Sequence, residues 1–378
     1  MKLNKCKLGD IITQRREKYN GDSLPICGVT REGFIPPKQK EADTSLYNVF
    51  YEKDFVFNPA RMELNSIVYN DVYKKAICSS LYEVFYVNRP DIVLPEFLAL
   101  IVKQNWFTRY CEFLGSGSAR EYCRVANISQ IEINYPNIEI QKKIVNEYRI
   151  IKERIQIKKQ INDNLANTEQ AILVETISKN QTEPTVLGDL VDFIDGDRGK
   201  NYPTFDEFTS TGYCLFLNAS NVTSTGFNFD TCMFVTEEKD KLMNKGHLSP
   251  YDIVLTSRGT LGNVALYDKH IKYENVRINS GMLIIRPKSK QISPYFIYAL
   301  LKSSYMRAAI ERFKSGSAQP QLPIKDLQKI TFEIPQSDAV LADLDRQFLS
   351  IEESISINNK ETDNLKELSV VLLAELSR

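Results

Sequence analysis

The stretch FKSGSAQPQLPIKDLQKITFEIP, Phe313–Pro335, has a counterpart earlier in the chain, FLGSGSAREYCRVANISQIEINYP, Phe113–Pro136. Both write Ser-Gly-Ser-Ala and then an apolar alternation that stops at a proline. At an offset of 199 residues Val125, Ile128, Ile131 and Pro136 fall on Ile324, Leu327, Ile330 and Pro335, while Ile133 falls on Phe332 and Tyr135 on Ile334. Similar segments at a fixed offset mark a repeated structural unit, and missing them would misassign the fold.

Beyond the proline the repeat continues at an offset of 200, where Ile144, Tyr148, Ile151 and Ile155 meet Leu344, Phe348, Ile351 and Ile355. Asp163-Asn164-Leu165 recurs outright as Asp363-Asn364-Leu365. Upstream, Leu8-Gly9-Asp10 returns as Leu187-Gly188-Asp189 at an offset of 179, so the second unit carries twenty extra residues ahead of its Ser-Gly-Ser-Ala loop. The interiors of the two units do not align residue by residue.

Local pattern assigns both units the same build. Runs such as LYNVFYEKDFVFN, YDIVLTS and GMLIIRP, broken by Gly, Asn, Asp and Pro, read as short strands. PEFLALIVKQNWFTRYCEFL and PYFIYALLKSSYMRAAIERF, each entered through proline, read as helices leading into the repeated loop. Long helices are expected over about residues 139–177 and 338–377, with apolar positions spaced four and three apart and one break near Lys158. Such a stripe is too narrow for burial all round, and the natural partner of each helix is its copy. The expectation is an α+β protein: mixed α/β units over 1–138 and 181–337, and long antiparallel helices over 139–180 and 338–378 forming a coiled-coil spacer with an internal pseudo-two-fold repeat.

The chain has 378 residues, with 48 Lys and Arg against 48 Asp and Glu. A balanced total neither supports nor excludes nucleic-acid binding, which needs a basic face. The seven cysteines form no Cys-x-x-Cys pair, and His247 and His270 have no sequence partner, so neither zinc nor disulfides are expected. There is no phosphate-binding Gly-x-x-x-x-Gly-Lys loop and no His-Glu-x-x-His. Asn58-Pro59-Ala60-Arg61 lacks the aromatic residue that would stack on a flipped base, and reads as a turn. No signal peptide or membrane span is apparent, and a cytoplasmic location is expected.

What remains is a set of polar loops rich in the side chains that grip phosphates and read base edges. In the second unit these are Arg198, Lys200, Asn201 and Tyr202, then Asn218, Ser220 and Asn221. Arg258 and Thr260 follow, and the repeated loop adds Ser315, Ser317, Gln319 and Gln321. The first unit offers Arg31, Lys38, Arg61 and Asn65, with Ser116, Ser118, Arg120, Tyr122 and Arg124 at its own copy of the loop.

Leu-Gly-Asp opening each unit, DGDRGKNYP at Asp195–Pro203, SGSAQPQLP at Ser315–Pro323 and a long helix closing each half resemble the specificity subunit of type I restriction-modification enzymes, over essentially the full length. The resemblance implies two target-recognition domains that read the two halves of a bipartite site in double-stranded DNA. It implies helices that dock two methyltransferase subunits, and restriction subunits in the full complex. The chain itself would hold no cofactor, with S-adenosylmethionine and ATP with magnesium on the partners. The first unit departs from the pattern: Arg120-Glu121 replaces Gln-Pro, and no Asp-Gly-Asp-Arg-Gly follows Leu8-Gly9-Asp10.

Two other readings stay open on residues alone. One is a specificity chain of another bipartite restriction enzyme, of type IIB or IIG character, whose methylation and cleavage reside in one separate polypeptide. The other is a coiled-coil structural adaptor, which would show no sequence-selective, salt-sensitive DNA affinity.

Overall fold

The computed structural model describes residues 3–21, 23–37, 43–115, 122–288, 292–313 and 321–375. Two compact units emerge, Met1–Ile157 with Thr362–Arg378, and Lys158–Glu361.

In the first unit an antiparallel sheet takes the order Ile12–Arg15, Glu83–Val87, Phe55–Phe57, Ile67–Tyr69. A second sheet runs Phe34–Ile35, Ile26–Val29, Lys75–Cys78, Asn48–Tyr51, and within it Ile26–Val29 lies parallel to Lys75–Cys78. The second unit repeats this plan with Val191–Asp195, Met282–Pro287, Ile253–Thr256, Val264–Leu266 in one sheet. Its other sheet is Phe234–Val235, Cys214–Leu217, Val276–Ile278, again with one parallel pair, Cys214–Leu217 beside Val276–Ile278. The interiors that cannot be aligned as sequence therefore share one sheet order and one parallel pair, although the second sheet has four strands in the first unit and three in the second.

One turn shows how this happens. Tyr51 N and Ser249 N each donate to the carboxylate three residues on, Asp54 Oδ2 at 2.8 Å and Asp252 Oδ2 at 2.7 Å. Lys53 and Tyr251 take the same left-handed conformation, φ 69° and 70°. Both aspartates are buried, and burial pushes Asp54's pKa up even with Arg15 beside it. Each needs a cation, yet the cation comes from different strands: Arg15 Nε at 2.6 Å in the first unit and Arg286 Nη2 at 2.7 Å in the second.

Leu-Gly-Asp is written twice because the backbone demands it. Gly9 N donates to Ser129 O at 2.9 Å and Gly188 N to Gln328 O at 3.1 Å. A Cβ on either glycine would stand 3.0 Å from that same carbonyl, too close for ordinary packing. Leu8 and Leu187 beside them are wholly buried. The motif thus clamps the start of each unit to the segment behind its Ser-Gly-Ser-Ala loop.

The long helices span Ile138–Lys179 and Asp338–Glu375. Within the second unit they run antiparallel: Lys158 Nζ meets Glu361 Oε2 at 2.7 Å and Asn358 Oδ1 at 2.9 Å, while Asn162 Oδ1 accepts from Asn358 Nδ2 at 2.8 Å. The break in the apolar stripe near Lys158 is this polar cluster. Further along, Lys302, at the end of the helix Pro294–Lys302, lies between Glu169 of the first long helix and Glu352 of the second, 2.7 Å from each. Phe296 of the same short helix stacks on Phe348 at 6.3 Å. Within the first unit Leu373 of the second helix packs with Ile140, Val145 and Tyr148 of the first against the unit's core. No helix among the described residues is long and apolar enough to cross a membrane.

Candidate nucleic-acid interface

Because Cys214–Leu217 and Val276–Ile278 are parallel, the loops after them leave from one edge of the sheet. One is Asn218–Asn221 and the other Asn279–Gly281. Against the second packs the Asp-Gly-Asp-Arg-Gly loop, so closely that a Cβ on Gly196 would be 2.2 Å from Asn279 O. Asp197, buried, accepts from Gly199 N and Asn244 N, each at 2.7 Å, and those amides, Gly199 first, hold its pKa below the usual carboxylate range. Both residues serve to shape the loop. What it presents is Arg198, exposed, with Nη2 donating to Asp195 Oδ1 at 3.1 Å and to Ser280 O at 3.2 Å.

On the other side of the same turn, Ser257 N and Arg258 N both donate to Gly281 O, at 2.9 and 3.1 Å. Leu322 N donates to Ser257 O at 3.1 Å, and Arg258 is bridged to Gln321. Four separate stretches of sequence thus bring Arg198, Arg258 and Gln321 to one edge. The Arg258 guanidinium makes no hydrogen bond or ion pair among the described residues, which leaves its planar fork open to a base edge or a phosphate. Lys200 and Thr260 are exposed in the neighbouring turns.

Other sequence candidates serve the fold. Asn201 Nδ2 donates to Leu242 O at 2.8 Å, and the Tyr202 ring packs edge-on against Phe216 at 5.6 Å. Asn218 Oδ1 accepts from Ser220 N at 2.9 Å and Ser220 Oγ at 2.6 Å, closing its own turn. Two expectations are corrected by burial. Asn221 is 1% exposed and spends its amide on Asn228 O and Thr231 O. Asn65 is 5% exposed, sits at φ 51°, and donates to Val102 O and Thr108 Oγ1. Neither side chain is free to meet DNA. Asn279 and Ser280 belong to the converging edge and were missed, although an Asn-Ser-Gly turn opening the run GMLIIRP is a recognisable signal.

The first unit builds the same junction with other residues. Cys123 N donates to Pro59 O at 3.0 Å, the counterpart of Leu322 on Ser257. The turn Pro59–Leu64 carries exposed Arg61, and exposed Arg124 lies with its guanidinium 5.6 Å from the Tyr122 ring centre. Glu83 holds this segment, accepting from Val125 N at 2.7 Å and Arg124 Nη1 at 3.3 Å. Arg31 tops the hairpin after Ile26–Val29, and its carbonyl accepts from Lys103 Nζ at 2.7 Å. Burial, with Arg31 nearby, pushes Lys103 down to about 8. Lys38, Ser116, Ser118, Arg120, Ser315, Ser317 and Gln319 lie outside the described residues. Among the described residues no group of three or more His, Cys, Asp or Glu could hold a metal ion.

Two mixed units with this duplicated junction define a class, and the comparisons with known proteins agree. The chain belongs to the type I restriction modification DNA specificity domain family, whose model matches residues 6–167 and 181–367. It is 30% identical over 92 residues to the type I restriction enzyme HindI specificity subunit of Haemophilus influenzae, a match spanning 23% of this chain and 20% of that relative. Its fold is similar to the crystal structure of the type I restriction-modification system S subunit from M. genitalium, with a TM-score of 0.57 and 18% identity over 99% of this chain and 96% of the other.

Proposed function

We propose that this chain is the non-catalytic DNA-reading subunit of a type I restriction-modification complex, each unit reading one half of a bipartite site in double-stranded DNA. The observation that carries the proposal is the matched junction: Cys123 N on Pro59 O and Leu322 N on Ser257 O join an arginine-bearing turn to the matching residue of the repeat in each unit. One platform written twice with different side chains suits a reader of two different words. The long helices also leave apolar side chains in water, among them Ile150, Ile157 and Val371 in the first unit and Val174 and Ile357 in the second. Exposed apolar rows of this kind mark protein contacts, and the methyltransferase subunits are the partners this reading assigns to them. S-adenosylmethionine, ATP and magnesium belong to those partners.

The test uses the purified chain, labelled S-adenosylmethionine and DNA bearing the adenines that are methylated in cells only when this gene is present. The chain alone is expected to transfer no methyl group and to bind DNA in a salt-sensitive way. Addition of the methyltransferase subunit should start transfer at one bipartite sequence. Methyl transfer by the isolated chain, or transfer by the partner without it at the same sequence, would refute the reading.

A further inference from the structure

Leu81 is 76% exposed at the tip of the turn between Lys75–Cys78 and Glu83–Val87. The turn is firmly held: Tyr82 N donates to Ser79 O at 3.0 Å, Leu81 N to Ser79 Oγ at 3.3 Å and Asn48 Nδ2 to Tyr82 O at 2.7 Å. By strand order it occupies the place of Asn279–Gly281 in the second unit. Glu83, two residues on, grips Arg124 and Val125, and pairs in register with Phe57, which leads into the turn carrying Arg61. A large apolar side chain is thus presented to solvent on a rigid turn, and the strand that follows it meets the segments carrying exposed Arg124 and Arg61. Arginines on the adjoining segments, and a place in the strand order matching the arginine-bearing edge of the second unit, suit a polyanion rather than an apolar protein surface.

We propose that Leu81 is a base-reading residue of the first unit, making an apolar contact with the C5-methyl group of a thymine in the major groove. The inference rests on the DNA-reading role proposed above. That methyl is the apolar group a base pair presents in the major groove, and the neighbouring guanidiniums supply the phosphate and polar base contacts that a leucine cannot.

Burial of one methyl group is worth about fourfold in affinity. The experiment uses the chain assembled with its methyltransferase subunits and a duplex carrying the methylated sequence. Each thymine of the two words is replaced in turn by deoxyuridine, which removes only the C5-methyl. The unmodified protein is expected to bind about fourfold more weakly at one thymine. Leu81→Ala should already be weakened about fourfold on the thymine duplex and should no longer respond to that deoxyuridine, with unchanged thermal unfolding. Indifference of the unmodified protein to every deoxyuridine, or a Leu81→Ala complex that keeps the response, would overturn the inference while leaving sequence-selective binding intact. Equal weakening of Leu81→Ala on all sequences, with a smaller DNA bend, would instead make Leu81 a wedge between base steps and also overturn it. Absence of any selective binding by the unmodified complex would sink the broader reading and this one with it.

Discussion

Replacing Lys302 by methionine is expected to destabilise the second unit by about 3–5 kcal/mol at mildly alkaline pH, read as a fall in its denaturant midpoint. The ammonium stands 2.7 Å from both Glu169 and Glu352, and the Glu169 side chain is completely buried. Burial alone would lower the Lys302 pKa, but Tyr298, Glu169 and Glu352 around it hold the pKa above its ordinary value. Burial pushes Glu169 up to about 8, with Glu352 adding and Lys302 opposing. At neutral pH the Lys302 ammonium therefore faces Glu169 as a carboxylic acid. Without the lysine the buried pair loses its counterion as Glu169 ionises towards alkaline pH, whereas below that range Glu169 holds its proton and the penalty should shrink.

The same cluster fixes a sign. The raised pKa of Glu169 means that the folded state holds a proton the unfolded chain releases above about 4.5. Its contribution to stability is complete below about 4.5 and is lost as pH rises towards 8. Glu169→Gln, which copies the protonated form, should gain on the unmodified protein across that window by roughly 1.4 kcal/mol per pH unit. Parallel pH profiles for the two proteins would show that Glu169 does not carry the proton.

Arg258→Ala is expected to cost about 1–3 kcal/mol of DNA affinity and to relax one base position in one word. Arg258 lies on the turn joined to both Gly281 and Leu322, and its guanidinium has no partner among the described residues. Arg198 is already shared between Asp195 and Ser280, so Arg198→Ala should lose less. Binding measured on duplexes varied one base at a time separates the two. Equal loss on every sequence would make Arg258 a phosphate contact.

The parts of the fold legible in the sequence are those where backbone meets backbone. Gly9 and Gly188 were readable because a Cβ would crowd the carbonyls of Ser129 and Gln328 at 3.0 Å. The paired long helices could be read from their apolar spacing, since their exposed faces stay polar enough to show the stripe. The sheets were hidden as a repeat because a turn such as Tyr51–Asp54 or Ser249–Asp252 keeps only the aspartate, while its arginine moves from strand to strand. The candidate interface was half legible for a related reason. Arg198 and Arg258 stand in glycine-flanked turns, but Asn65 and Asn221 look no different as letters until their amides are seen capping buried carbonyls. Asn279 and Ser280 gain their place through Gly196, far away in sequence.

Lys103 and Lys302 occupy one position of the repeat, each at the end of a helix entered through proline. In one copy the ammonium points at the carbonyls of Arg31 and Ile67, in the other at the side chains of Glu169 and Glu352. Lys103, lowered to about 8 from an ordinary 10.5, weighs against its unit while protonated, and that burden lifts as alkali removes the proton. The second unit has by then given up the proton on Glu169. Rising pH therefore acts on the two descendants of one ancestral unit in opposite directions and in succession, loosening the later copy up to about 8 and relieving the earlier one between about 8 and 10.5.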